Sequence, residues 1–475
     1  MEQSPLFMPN LLYIHIPFCI QKCTYCDFFS MPYDESVAKT YIDALYQELY
    51  LKKDFYTTLK TIYTGGGTPS LLPDECFKQL FICLKDNFSF SSDIEITVEA
   101  NPGTINESKI NTVLSLGVNR LSIGIQSFNN DELKTLGRIH SSEDASRSIE
   151  IIKKEGINNF SVDLMYGVPG QAIESWHNSI STAVELSPTH ISTYELTLEE
   201  NTPLYKLLKS NKPVPQHKRE ISYTSPPLMG GDKGEGENEY KKSPPPYPSP
   251  IDGDGNIING KFPTLAKGGK GEFANKIKLP DEELIIEMYN HAIDYFASCG
   301  YEHYEISNFA LPGFRCVHNL NYWDRGEYIG VGAGAHSFIN GIRSKNTEDI
   351  NRYIQDLNSG IIPEIESIKL TPTDTLKEII FLKLRKTEGI NINTLSDITV
   401  SRNQSCHSAL DAESSFFTSL DSCFRRNDIN ILQASRELVD EGYLEIERGY
   451  LRLTRKGIVI SNTIIVKLFE RLGID

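Results

Sequence analysis

The run Tyr13-Ile-His-Ile-Pro-Phe-Cys-Ile-Gln-Lys-Cys-Thr-Tyr-Cys-Asp27 sets Cys19, Cys23 and Cys26 at C-x3-C-x2-C spacing, directly after a short apolar strand. Three thiolates so spaced can hold three corners of a [4Fe–4S] cube, leaving one iron without a protein ligand. That open iron can chelate the amino and carboxylate groups of S-adenosylmethionine (SAM). A zinc site would want a fourth Cys or His close by, and the nearest other cysteine is Cys76. A disulfide reading leaves one of three close cysteines over, and the N-terminus lacks the basic, apolar and small-residue order of a secretory leader.

The bulk properties agree with that chemistry. At 475 residues the chain has length for two to three domains and a large core. It is 39% hydrophobic and 23% charged, and no apolar run approaches the roughly 20 residues that span a bilayer. A net charge of −16 argues against a general polyanion binder. Nine cysteines, three of them clustered, suit a reducing cytosol, so a cytoplasmic protein is expected.

Outward from the cysteines, strand and helix alternate. Apolar runs at 11–16, 60–64, 94–100, 120–125, 159–164 and 189–194 read as strands, and 35–53, 73–86, 106–115, 142–154 and 174–186 as helices. Six successive β-α units predict a parallel sheet with its chemistry at the carboxyl ends of the strands. Residues 1–221 form this first unit. Residues 222–275, rich in Pro and Gly and poor in apolar side chains, read as a low-complexity disordered insertion. Residues 276–345 complete the first domain, with a helix at 280–299, and 346–475 form a C-terminal domain interrupted by a second foreign-looking piece at about 400–428. The texture of both pieces is that of translated intergenic repeats. After the second, Ile429–Glu441 reads as a helix, 443–453 as a hairpin and the stretch from Arg455 as a last helix. That order suggests a small winged-helix-like module, used for structure or partner docking, since its basic residues are scattered.

Candidate binding residues fall at the strand ends. Gly65-Gly66-Gly67-Thr68-Pro69 lets backbone approach a ligand without Cβ interference. Glu99-Ala-Asn101-Pro, Gly124-Ile-Gln126-Ser-Phe, Arg138 and Asp163-Leu-Met-Tyr-Gly-Val-Pro follow on later strands. Any one of these has the plain reading of a helix cap or loop tie, but all of them would converge on one mouth. There a carboxylate can hold ribose hydroxyls, Arg138 can pair with a methionyl carboxylate and Gln126 can hydrogen-bond the ligand.

These motifs together resemble the coproporphyrinogen III oxidase-like branch of radical-SAM proteins, over nearly the whole chain apart from the two insertions. The resemblance implies an α/β fold, an incomplete (β/α)6 radical-SAM barrel with a small C-terminal winged-helix-like α+β domain. It implies a [4Fe–4S] cluster on Cys19, Cys23 and Cys26, and SAM bound by Tyr13, Gly66, Gly67, Thr68, Glu99, Gln126, Arg138 and Asp163. His15 on the first strand is expected to support the cluster loop, and Cys76 and Cys83 to be core residues. Cys299, Cys406 and Cys423 have no partner that the sequence suggests.

Two activities exist in that branch. The oxygen-independent oxidase resembles C-x3-C-x2-C-x-C and carries a longer segment before its cluster loop, whereas Phe28 stands at the extra cysteine position here. His318-Asn-Leu-Asn-Tyr322-Trp323, followed by Gly330-Val-Gly-Ala-Gly-Ala-His336-Ser, is similar to the H-N-x-x-Y-W signature of HemW-type haem chaperones. The resemblance therefore implies haem as cargo, acceptor haem proteins (membrane-associated respiratory enzymes among them), and a possible homodimer. A neutral imidazole suits haem iron, which makes His318 the expected haem ligand, with His336 and Cys316 weaker candidates. The alternative is the oxidase itself, a radical-SAM decarboxylation in porphyrin biosynthesis. A winged-helix regulator sensing redox through its cluster is a third reading, disfavoured by the acidity.

Overall fold

A computed structural model of the chain describes residues 9–55, 58–209, 278–392 and 431–474. The two insertions read at 222–275 and about 400–428, with Cys406 and Cys423, lie outside these residues. Among the described residues no helix is long and apolar enough to cross a membrane.

Six strands follow the order expected: β1 (Leu11–Ile16), β2 (Thr58–Gly66), β3 (Ser89–Ala100), β4 (Arg120–Gln126), β5 (Phe160–Tyr166) and β6 (His190–Glu195). Each pairs in parallel with the next, so the sheet grows in sequence order. The helices between them are α1 (Glu35–Lys52), α2 (Asp74–Asn87), α3 (Glu107–Leu116), α4 (Asn130–Leu136), α5 (Ser142–Lys154) and α6 (Ile173–Glu185). Their starts are set by side chains that accept the free N–H groups: Asp34 for α1, Asn106 for α3, and a reciprocal Ser141–Asp144 pair for α5. Ile14, Ile16, Ile62, Val98, Ile123, Val162 and Ile191 from the strands meet Leu45, Phe77, Ile110, Ile149 and Trp176 from the helices in one buried core. Cys76 is buried in that core and Cys83 packs partly buried against it.

Three later pieces join the sheet, none of which local periodicity indicates. After α7 (Pro203–Lys209) and α8 (Glu282–Ser298), a hairpin of β7 (Glu302–Glu305) and β8 (Asn308–Ala310) adds antiparallel to β6. A short helix, α9 (Val317–Trp323), leads to β9 (Ile329–Val331), which pairs in parallel with β1 on the far edge. The sheet thus runs β9-β1-β2-β3-β4-β5-β6-β8-β7.

The remainder is smaller. His336–Ile339, Ile342–Asn346 and Glu364–Lys369 form a three-stranded antiparallel sheet. At the end, helix Ile431–Asp440 precedes the hairpin Leu444–Glu447 and Tyr450–Leu453, then helices Arg455–Val459 and Ser461–Leu472. The wing has a third strand, Ile390–Asn391, against Tyr450–Leu453. This module docks on α8, where the Arg455 guanidinium meets Asp294 at 2.5 and 2.7 Å and Asn290 Oδ1 at 2.8 Å.

Candidate functional site

Residues 17–33 leave the carboxyl end of β1 and return to it. Phe18–Cys19 pairs in parallel with Met31–Pro32, with Met31 N donating to Pro17 O at 2.7 Å and Tyr33 N to Cys19 O at 2.9 Å. Midway, Thr24 is tied to α4, its N–H to Leu136 O at 3.0 Å and its hydroxyl to Thr135 O at 2.8 Å. Tyr25 packs beside Leu136, Met165, Val168 and Leu196. Cys19, Cys23 and Cys26 therefore sit partly buried on a loop held at both ends and in the middle.

Donors line that loop. The Thr68 hydroxyl points at Cys19 Sγ at 3.7 Å, and Arg138 Nη1 at Cys23 Sγ at 3.5 Å. Burial pushes the Cys26 thiol up to about 11, with the neighbouring Cys23 adding to it, and burial likewise raises Cys19. Thiols desolvated and crowded in this way become thiolates readily only against a cation. Among the described residues no three Cys, His, Asp or Glu side chains converge as ligands of a single ion. Three thiols on one loop, with an O–H donor at Cys19 and an N–H donor at Cys23, fit a cluster.

The glycines of β2 make the rest of the mouth possible. Gly66 has φ +115°, and a Cβ there would lie 2.7 Å from the His15 ring; one on Gly67 would lie 2.7 Å from Phe18 O. His15 itself spans the loop, with Nε2 to Phe29 O at 3.1 Å and Nδ1 to the Tyr13 hydroxyl at 3.0 Å. Burial lowers its pKa to about 4, so the ring is neutral.

Carboxylates and amides complete it. Glu99 accepts from the Tyr63 hydroxyl at 2.8 Å and from Gly66 N at 3.0 Å, and burial raises it to about 7. Asp163 lies within β5, not at its end, and accepts from Ser122 at 2.8 Å and Ser161 at 2.9 Å. Burial raises its pKa too. Gln126 closes β4 at φ +71°, just past an irregularity in the ladder, a strained conformation for a non-glycine residue. Asn101 Nδ2 donates to the Thr68 hydroxyl at 2.8 Å.

Arg138 meets protein groups on both sides of the cysteine loop. Its Nη2 reaches Asn101 Oδ1 at 2.5 Å and Gly124 O, and Nη1 faces Cys23. Its Nε is buried with no partner among the described residues. The Nε–H is thus left for a ligand, while the fork ties the cysteine loop to β3 and β4.

His318 stands apart from this mouth. It lies on α9, not on a loop, and is only 1% exposed. Its Nδ1 meets the Thr61 hydroxyl at 2.6 Å and its Nε2 the Tyr322 hydroxyl at 2.9 Å, while the ring stacks on Tyr63 with centroids 5.1 Å apart. Burial, with Arg120 nearby, lowers it to about 3. Both ring nitrogens are hydrogen-bonded, one donating and one accepting, so in this conformation the imidazole has no nitrogen free for an iron. Cys316 is fully buried against Glu95, and His336 is partly exposed on its own strand.

Sequence reasoning missed Tyr63 and Glu95. Tyr63 joins the mouth to His318 by touching both Glu99 and the imidazole. Glu95 caps α9, accepting from Val317 N and His318 N at 3.0 Å each. The alternation in Thr61-Ile-Tyr-Thr64, with Thr61 and Tyr63 on one face, is the signal that was available for Tyr63.

Comparison with known proteins matches this geometry. A family model described as the Radical SAM superfamily matches residues 13–183. The chain is 29% identical to the haem chaperone HemW of Lactococcus lactis over 98% of each chain. It is 32% identical to HemW of Bacillus subtilis over 80% of this chain and 84% of that one. Among solved structures, coproporphyrinogen III oxidase (HemN) from Escherichia coli, a radical-SAM enzyme, superposes with TM-score 0.68 at 19% identity, covering 97% of this chain and 90% of the other.

Proposed function

Because the chain belongs to the HemW family within the radical-SAM superfamily, we propose that it is a cytoplasmic haem chaperone. It holds a [4Fe–4S] cluster and SAM, takes up haem and passes it to acceptor haem proteins, including membrane-associated respiratory enzymes. The observation that carries this reading is the convergence of Thr68 on Cys19 and Arg138 on Cys23, beside Glu99 at the carboxyl end of β3.

Cys19, Cys23 and Cys26 ligate the cluster, which when bound supplies an iron site for the amino-acid end of SAM. Gly66 and Gly67 bring backbone to the ligand, Thr68 and Tyr13 line it, and Glu99 and Asp163 accept from hydroxyls. Gln126 offers its amide and Arg138 its Nε–H. The segments 222–275 and about 400–428 are insertions into a two-domain frame, 1–221 with 276–345, and 346–475.

His318 is the haem ligand. Since both its nitrogens are hydrogen-bonded, it binds iron only after Thr61 or Tyr322 lets go, so haem uptake is coupled to a movement of α9. The test is an anaerobic haem titration of the cluster-reconstituted protein beside His318→Ala. Saturable binding of one haem per chain, weakened in the variant, supports the assignment. Equal binding by both proteins removes His318 from it.

The second reading, oxygen-independent coproporphyrinogen III oxidase, is favoured by the gathering of Thr68, Glu99 and Arg138 beside the cysteine loop, a site that a pure carrier does not need. It is tested by coproporphyrinogen decarboxylation with SAM and reductant. Phe28, at the position of the oxidase's additional cysteine, is 49% exposed on the cluster loop and offers no thiol there.

A further inference from the structure

On the outer face, away from the mouth, α6 and α8 bring two imidazoles together. His177 Nδ1 and His291 Nε2 lie 2.8 Å apart, with ring centroids at 5.0 Å. His177 is exposed and His291 partly exposed. Their approach is fixed from beneath, because the buried Trp176 donates Nε1–H to Met288 O at 2.8 Å and so sets the register of the two helices. Tyr295, one turn along α8, packs its ring against both, at 5.6 Å from His177 and 6.2 Å from His291.

We propose that His177 and His291 form a surface site for a divalent d-block cation of the zinc class, with the two imidazoles as neighbouring ligands and water in the remaining positions. Two nitrogens on one tetrahedral zinc, each at about 2.0–2.1 Å, stand roughly 3.3 Å apart, about 0.5 Å more than the 2.8 Å already present, a difference that small ring rotations supply. Without the cation the pair can only share a proton, one ring donating and the other accepting. Imidazole is a good ligand for zinc, nickel and copper, and the rigid helix pair lowers the ordering cost of chelation. No third His, Cys, Asp or Glu among the described residues completes the set, so the site is open and exchangeable.

Its location gives it a consequence. Asn290 and Asp294 on the same helix hold Arg455 of the C-terminal module. A cation at His291 ties α6 to the helix on which that module rests, so occupancy stiffens the junction between sheet and module. None of this depends on haem or on the cluster.

The test uses the full chain with Cys19, Cys23 and Cys26 all changed to Ala, which removes the clustered thiols and keeps the outcome separate from the chaperone reading; binding by the other six of the nine cysteines shows as thiolate absorption. Cobalt(II) is followed by visible absorption and zinc(II) by calorimetry. The expected result is one equivalent bound without thiolate charge-transfer absorption, weakened at least about tenfold by His177→Ala and by His291→Ala as two ligands become one. Zinc should also raise the unfolding midpoint of the parent and not of either variant. No saturable binding, or binding indifferent to both substitutions, overturns the proposal.

Discussion

The hydroxyl of Tyr63 donates to Glu99 Oε1 at 2.8 Å. The same ring stacks on His318 and lies 6.2 Å from Tyr13, so one tyrosine touches Glu99, the motif histidine and the first strand. Its donation lowers the Glu99 pKa against the larger effect of burial, leaving it at about 7.

Tyr63→Phe removes that donation. A hydrogen bond to an ionised carboxylate is worth about 1.5 kcal/mol, or roughly one pH unit. SAM binding that needs ionised Glu99 strengthens as pH rises through about 7 in the parent. In the variant that rise should move upward by about half a unit or more. Calorimetric SAM titrations between pH 6 and 8.5, on cluster-loaded protein, check it; an unmoved profile separates Glu99 from the ligand.

Glu99→Gln should act oppositely on stability and on binding. A carboxyl raised by burial favours the folded state while protonated, and that advantage is lost as pH climbs from its unfolded value towards about 7. At pH 8 the amide variant of the ligand-free protein should therefore melt about 2 °C higher. Its SAM affinity should fall about tenfold or more. Scanning fluorimetry and calorimetry read the two effects.

Much of this was legible locally. The six strands, the glycine run and the cysteine loop declare themselves through alternation, turn chemistry and spacing, which are properties of adjacent residues. The burial of His318 was not, because Thr61 and Tyr63 meet it only after β2 and α9 come together across more than two hundred residues. The hairpin Glu302–Ala310 and the return strand Ile329–Val331 are too short to show a period, and their places are set by open sheet edges. Asp163 reads as a strand end, yet β5 runs on to Tyr166.

The clearest long-range feature is Glu48. Its Oε1 accepts from Lys52 and Asn346 at 2.6 Å each, and its Oε2 from Gly332 N at 2.7 Å and the Tyr353 hydroxyl at 2.6 Å. It pins the Gly330–Ser337 loop to α1 from full burial. Glu48→Gln leaves Lys52 without its counter-charge and should cost about 3 kcal/mol in urea unfolding. Glu35→Gln, at an exposed pair on the same helix, should cost less than about 1 kcal/mol.

Arg138→Lys keeps the charge but loses the fork that reaches Asn101, Gly124 and Cys23. SAM affinity should drop about tenfold, the weight of one charge-assisted hydrogen bond. Removing an N–H donor from Cys23 should also lower the reduction potential of the reconstituted cluster, read by potentiometric titration. Cys19→Ala, Cys23→Ala and Cys26→Ala should each abolish the visible cluster absorption while leaving the circular dichroism of the chain unchanged, because the Pro17–Met31 and Thr24–Leu136 bonds hold the loop.

The central claim is transfer of haem. Haem-loaded, cluster-reconstituted protein is mixed anaerobically with an apo respiratory haem protein, and the Soret band is followed after the two are separated. The account predicts that haem moves to the acceptor faster than free haem supplied at the same concentration, and that His318→Ala slows the movement. Haem retained on the chain, or delivered no faster than from solution, would contradict it.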